Sequence, residues 1–151
     1  MKKVYSFGIV VGQMLLTRGD VRGRKRHIAI TRTMETLLNQ GVVPIINEND
    51  SVSAEELEVK FGDNDILSAL VASLTKANVL AILTTVNGLL NLNGEGELIP
   101  VVKNITPEIE ALAQGPANEL SVGGMTAKIE AAKVATHSGC GVFIGPGARK
   151  N

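Results

Sequence analysis

Val42-Val43-Pro44-Ile45-Ile46-Asn47-Glu48-Asn49-Asp50 is the stretch on which the reading of this chain turns. Its apolar half predicts a short strand over 42–46, and its polar half predicts a loop directly after it. A run that is apolar throughout, rather than alternating, suits a parallel strand covered on both faces. Two further runs predict strands of the same kind at 79–83 and 141–144, and 8–16 predicts a strand or a strand-turn. Between them apolar residues recur at helical spacing. Ile30, Met34, Leu37 and Leu38 predict a helix over 25–40 that stops at Gly41, and Ile66, Leu67, Leu70, Val71 and Leu74 predict another over 65–76. Thr106-Pro107-Glu108 carries a capping hydroxyl, a proline at the first helical position and an acid in the first turn. A last helix is expected from about Met125 to Ser138, ending at Gly139. Residues 87–100 break the rhythm and predict a hairpin around Asn93-Gly94. Strand and helix in alternation, with short links, predict an α/β fold with a mostly parallel sheet sandwiched between helices. With no repeat or linker, residues 1–151 are expected to form one domain.

The composition narrows the function. The 151 residues balance 15 Lys and Arg against 15 Asp and Glu, and only four residues are aromatic: Tyr5, Phe7, Phe61 and Phe143. Binders that stack nucleic-acid bases need exposed aromatics and a basic excess, so no nucleic-acid partner is expected. The single cysteine excludes an internal disulfide framework. One cysteine with two histidines does not make the usual zinc site, and no metal ligands are assigned. No apolar run reaches bilayer length and the N-terminus lacks a signal-peptide core, so a cytoplasmic protein without membrane contact is expected.

Three polar clusters could carry chemistry. Asn47-Glu48-Asn49-Asp50 follows a strand, where open α/β sheets bind ligands, but Asx turns in a solvated loop would look the same. Gly62-Asp63-Asn64-Asp65 opens a helix. One side chain suffices as a cap, and the surplus could hold a substrate ammonium or orient a lysine. Gly123-Gly124-Met125-Thr126-Ala127-Lys128 places two glycines before a helix, with a lysine about one turn inside. That is a phosphate seat if the N–H groups face a ligand, and a flexible joint otherwise. It is not a P-loop, because the G-x-x-x-x-G-K spacing is missing. Arg18, Arg22, Arg24, Lys25 and Arg26 form a basic run that reads as a solvated face.

Together these pieces resemble the amino acid kinase family, and within it the members that act on glutamate. The resemblance is carried in order by Val11-Gly12-Gln13-Met14-Leu15-Leu16-Thr17-Arg18, Val43-Pro44-Ile45-Ile46-Asn47-Glu48-Asn49-Asp50, Gly62-Asp63-Asn64-Asp65 with Leu67-Ser68-Ala69-Leu70, and Gly123-Gly124-Met125-Thr126-Ala127-Lys128. It implies a three-layer αβα fold and ATP-dependent phosphorylation of the glutamate side-chain carboxylate, the opening step of proline synthesis, with ATP and Mg2+. It further implies that Asp50, Asn64 and Asn47 grip glutamate, with Asp63 nearby. Asp65 would hold lysines in place by charge, and Lys128 would stabilise the phosphoryl group in transfer. Thr84 and Thr85 would meet the nucleotide, and Val122, Gly123, Gly124, Met125 and Thr126 would wrap its phosphates. A homo-oligomer is expected.

The family's pattern and this chain part at four places. Thr84-Thr85 stands where members have Thr-Asp, Val122 stands where threonine is common, and the spacing from Asp50 to Gly62 is about two residues longer. The family's early K-x-G loop and later S-G-A turn have no counterpart, since Lys3-Val4-Tyr5-Ser6-Phe7-Gly8 has a different spacing. The resemblance therefore implies the C-terminal portion of a kinase domain, lacking its N-terminal strands and incomplete for catalysis alone. Two other functions fit the same residues: a non-catalytic remnant that binds nucleotide or amino acid, and a kinase for another acid such as aspartate.

Overall fold

A computed structural model describes residues 7–49, 64–91, 96–114 and 122–147. The chain divides into two compact units, Met1–Leu67 and Ser68–Asn151.

In the first unit, β1 (Val10–Leu16) and β2 (Val42–Glu48) pair in parallel, from Val10 opposite Val42 to Leu16 opposite Glu48. A parallel pair needs a crossover, and helices α1 (Arg18–Arg22) and α2 (Arg24–Asn39) supply it. Ile30 and Met34, four residues apart, put the buried stripe of α2 on one face, and Met34 is almost fully enclosed. Gly12 lets α2 come close: a Cβ there would lie 3.3 Å from Val42 Cγ1 and 3.5 Å from Leu37 Cδ2. On the other face of the sheet Leu15, Val43 and Ile45 are exposed. Exposure alternates along β2, and the parallel strands with their helices agree with the expected αβα class.

Two expectations shift in this unit. Strand β2 continues through Asn47 and Glu48, and the Asn49 N–H still bonds to the Leu16 carbonyl at 2.9 Å. Asn47 is thus a ladder residue opposite Leu15, not a loop residue. The short helix α1 lies in what reads as a charge run. It begins at a capping box in which the Thr17 backbone N–H and hydroxyl donate to the Asp20 carboxylate at 2.8 and 2.7 Å, and the Asp20 N–H donates back to the Thr17 hydroxyl at 3.3 Å.

Helix α3 (Asn64–Leu74) buries Leu67, Ala69, Ala72 and Leu74. In the second unit β3 (Val79–Thr84) pairs in parallel with β6 (Gly141–Pro146), from Val79 opposite Gly141 to Thr84 opposite Pro146. The expected hairpin is a short antiparallel ribbon, β4 (Leu90–Asn91) with β5 (Glu97–Leu98), and its turn at Asn93-Gly94 lies outside the described residues. Helix α4 (Pro107–Gln114) starts at the Thr106-Pro107-Glu108 signal. Helix α5 (Val122–His137) leads into β6. Leu89, Ala113 and Ile129 form a core, ringed by Ile99, Val102, Ile105, Ile109, Leu112, Met125 and Ile144. Cys140 is buried as a small core residue, and Glu110 pairs with Lys133 at the surface. Val79, Leu83 and Phe143 are exposed.

Candidate functional site

In the second unit, the end of the sheet that open α/β folds use for ligands is the end where β3 and β6 finish. Helix α5 passes through Ser138, Gly139 and Cys140 straight into β6, so it runs back along the sheet and its amino end returns to that place. Packing agrees. Met125, at the start of α5, and Ile144, near the end of β6, surround the same core. Thr84 closes β3, and its carbonyl accepts the Gly147 N–H at 3.1 Å, holding the two strand exits together. Thr84 is half-buried and Thr85 is exposed. Thr84, Thr85 and the first turn of α5 therefore lie at the same end of one unit.

That first turn differs from the expectation. The helix begins at Val122, not near Met125, so the two glycines lie inside it. Val122, Gly123 and Gly124 occupy its first three positions, where backbone N–H groups have no carbonyl one turn behind them and the helix dipole is positive. Gly124 is exposed, with nothing within 4 Å of where a Cβ would stand. Side chains on a helix lean toward its amino end, and Lys128 does so: its Nζ donates to the Gly124 carbonyl at 3.4 Å. The Lys128 ammonium is thus held over the first turn of α5, whose N–H groups have no partner within the helix. Met125 and Thr126 also make contacts inside the unit. Met125 packs on the core, and the Thr126 hydroxyl donates to the Ala113 carbonyl at 3.2 Å. The sequence carried a signal for Met125 in its four-residue spacing to Ile129.

The first unit holds the residues expected to grip substrate. Asn47 is exposed at the carboxyl end of β2, and Asn64 is the exposed first residue of α3. Asp65 follows it, half-buried in the first turn, where a negative charge is favoured. Asp50, Gly62 and Asp63 lie outside the described residues. Sequence reasoning passed over Asp20. Burial raises the pKa of its carboxyl, but the bonds from Thr17 and the Arg26 guanidinium at 3.3 Å outweigh that and hold it below the usual carboxylate range. The T-x-x-D spacing was its signal. Glu108 is also held low, by the Thr106 hydroxyl and its own backbone N–H. Among the described residues, no three His, Cys, Asp or Glu side chains gather to hold a metal ion, and no helix is long and apolar enough to cross a membrane.

Parallel strand pairs joined through helices, with a helix start beside the strand ends of the second unit, define an α/β protein. The amino acid kinase family matches residues 1–146, and the chain belongs to that family. It is 48% identical over 147 residues to a glutamate 5-kinase of Allorhizobium ampelinum, a match covering 95% of this chain and 37% of that protein. A glutamate 5-kinase of Moorella thermoacetica is 49% identical over 145 residues, covering 93% of this chain and 38% of the relative. One from Rhizobium johnstonii is 46% identical over 147 residues, with 95% and 37% covered. The chain thus spans little more than a third of the length of these relatives.

Proposed function

We propose that this chain is part of an ATP-dependent kinase that phosphorylates the side-chain carboxylate of glutamate, giving glutamyl 5-phosphate for proline synthesis in the cytoplasm. The observation that carries the reading is the Lys128 ammonium, 3.4 Å from the Gly124 carbonyl, in the first turn of a helix that opens with Val122, Gly123 and Gly124. Kinship to proteins named glutamate 5-kinase supports the choice of acid.

In the transfer, a glutamate carboxylate oxygen bonds to the γ-phosphorus of ATP as the bond from that phosphorus to the bridging oxygen breaks, and ADP leaves. Such a transition state asks for positioning and charge neutralisation more than for a base. The N–H groups of the α5 first turn would hold phosphate oxygens, and Lys128 would follow the charge as it moves. Thr84 and Thr85 would border the nucleotide. Asn47, Asn64 and Asp50 would hold the substrate ammonium, and Asp65 would set lysine positions by charge. The donors at the α5 amino end are N–H groups and an ammonium, which fit phosphate oxygens and not a cation. Mg2+ bound by the nucleotide's own phosphates would neutralise their charge. Residues 1–151 would then be part of one kinase domain, in a homo-oligomer.

The test is hydroxamate trapping of glutamyl phosphate, with this chain alone and with a chimera in which the Moorella thermoacetica relative supplies the remaining length. Lys128→Met in the chimera should lower kcat by roughly 100-fold or more, with the KM for glutamate little changed. Asn47→Ala should raise that KM. Undiminished turnover in Lys128→Met would overturn the assignment, and preference for aspartate in a competition would overturn the substrate.

A further inference from the structure

We infer that Thr126 is a positioning residue: its hydroxyl anchors the first turn of α5 to the end of α4. The inference rests on the reading of that turn as the phosphate seat.

The turn is weak on its own. Glycine in a helix costs about 1 kcal/mol relative to alanine, and positions two and three of α5 are both glycine. A seat for phosphate must nevertheless hold its N–H groups in fixed directions before the ligand arrives. Two side chains directly after the glycines supply the fixing. Met125 packs around the core of Leu89, Ala113 and Ile129, and the Thr126 hydroxyl donates to the Ala113 carbonyl at 3.2 Å.

The choice of acceptor is informative. Ala113 is buried and lies in the last turn of α4, where carbonyls have no N–H one turn ahead to pair with inside the helix. A buried carbonyl left alone is costly. This hydrogen bond pairs the Ala113 carbonyl with the start of α5. A threonine hydroxyl has one proton to donate. Its donation to the Ala113 carbonyl links the start of α5 to the end of α4. Thr126 thus acts through Gly123, Gly124 and Lys128.

The experiment compares this chain with Thr126→Val and Thr126→Ser by amide hydrogen exchange without nucleotide, and by calorimetric titration with MgATP. Thr126→Val should speed exchange of amides 126 to 129 roughly tenfold and weaken MgATP binding several-fold; Thr126→Ser should restore both. If Thr126 were instead a phosphate ligand, Thr126→Val would weaken MgATP binding while exchange without nucleotide stayed at the parent rate, and that result overturns the proposal. Faster exchange with unchanged MgATP affinity overturns the positioning role as well. If the parent chain binds no MgATP, the phosphate-seat reading fails, and the exchange result still decides whether Thr126 anchors the turn.

Discussion

Helices α3 and α5 end in the same hydrogen-bond motif but with different residues at its left-handed position. At the end of α3, the Lys76 N–H bonds to the Ser73 carbonyl at 3.2 Å and the Ala77 N–H to the Ala72 carbonyl at 2.9 Å. At the end of α5, Gly139 bonds to Thr136 at 3.0 Å and Cys140 to Ala135 at 3.2 Å. Lys76 has φ +51° and Gly139 has φ +79°. A side chain in the left-handed region costs about 1–2 kcal/mol, and glycine returns about 0.4–1 kcal/mol of that through greater freedom in the unfolded chain. Lys76→Gly should therefore stabilise the protein by about 0.5–1 kcal/mol. Gly139→Ala should destabilise it by a similar amount, from backbone strain alone, since no atom lies within 4 Å of the added Cβ. For a chain of this length, each kcal/mol moves Tm by about 2–4 °C. The chain has no tryptophan and one tyrosine, so far-UV circular dichroism is the suitable probe. A lower Tm for Lys76→Gly, or no change for Gly139→Ala, would refute the reasoning. The Ser138 hydroxyl donates to that of Ser73 at 2.7 Å, so the two turns adjoin, and a departure of the double variant from additivity would measure their coupling.

Two further outcomes are expected. Asp20→Asn should cost about 1 kcal/mol through the capping box of α1. Because the folded carboxyl is held low, that difference is fully present above the ordinary aspartate pKa of about 3.9 and closes as pH falls through the folded value; thermal melts of parent and variant from pH 7 to pH 2 check it, and a gap that widens in acid refutes it. Exposed Leu15, Val43 and Ile45 on one sheet face should drive concentration-dependent association. Sedimentation velocity should show it reduced in Ile45→Lys, and a parent chain that stays monomeric across concentrations refutes it.

The strands were legible because Val42–Ile46, Val79–Leu83 and Gly141–Ile144 are apolar runs too short for helices and flanked by turn residues. Their ends were not. Asn47 and Glu48 join β2 because β1 offers ladder partners as far as Leu16, a long-range fact that local polarity conceals. The start of α5 was hidden for the opposite reason. Local propensity places Gly123-Gly124 outside a helix, and what holds them inside, Met125 on the core and Thr126 on Ala113, is tertiary. Helix α1 was available in principle, since Thr17 and Asp20 carry capping-box spacing, but the arginines around them drew the reading toward charge.

The same geometry bears on the two departures from the family's pattern near the nucleotide. Val122 lacks a threonine hydroxyl, but it stands at the first position of α5, where its contribution to the proposed phosphate seat would be a backbone N–H. Every residue except proline has that group, so the change leaves the main electrostatic feature of the seat in place. Thr85 is different. It is exposed just past the end of β3, and at its side chain an aspartate would be an anionic acceptor where threonine is not. The phosphate end of the proposed site is built from backbone and Lys128 and tolerates such substitution. At Thr85 the proposed site would lack an anionic side chain, and that is where this chain should differ most from the family's pattern.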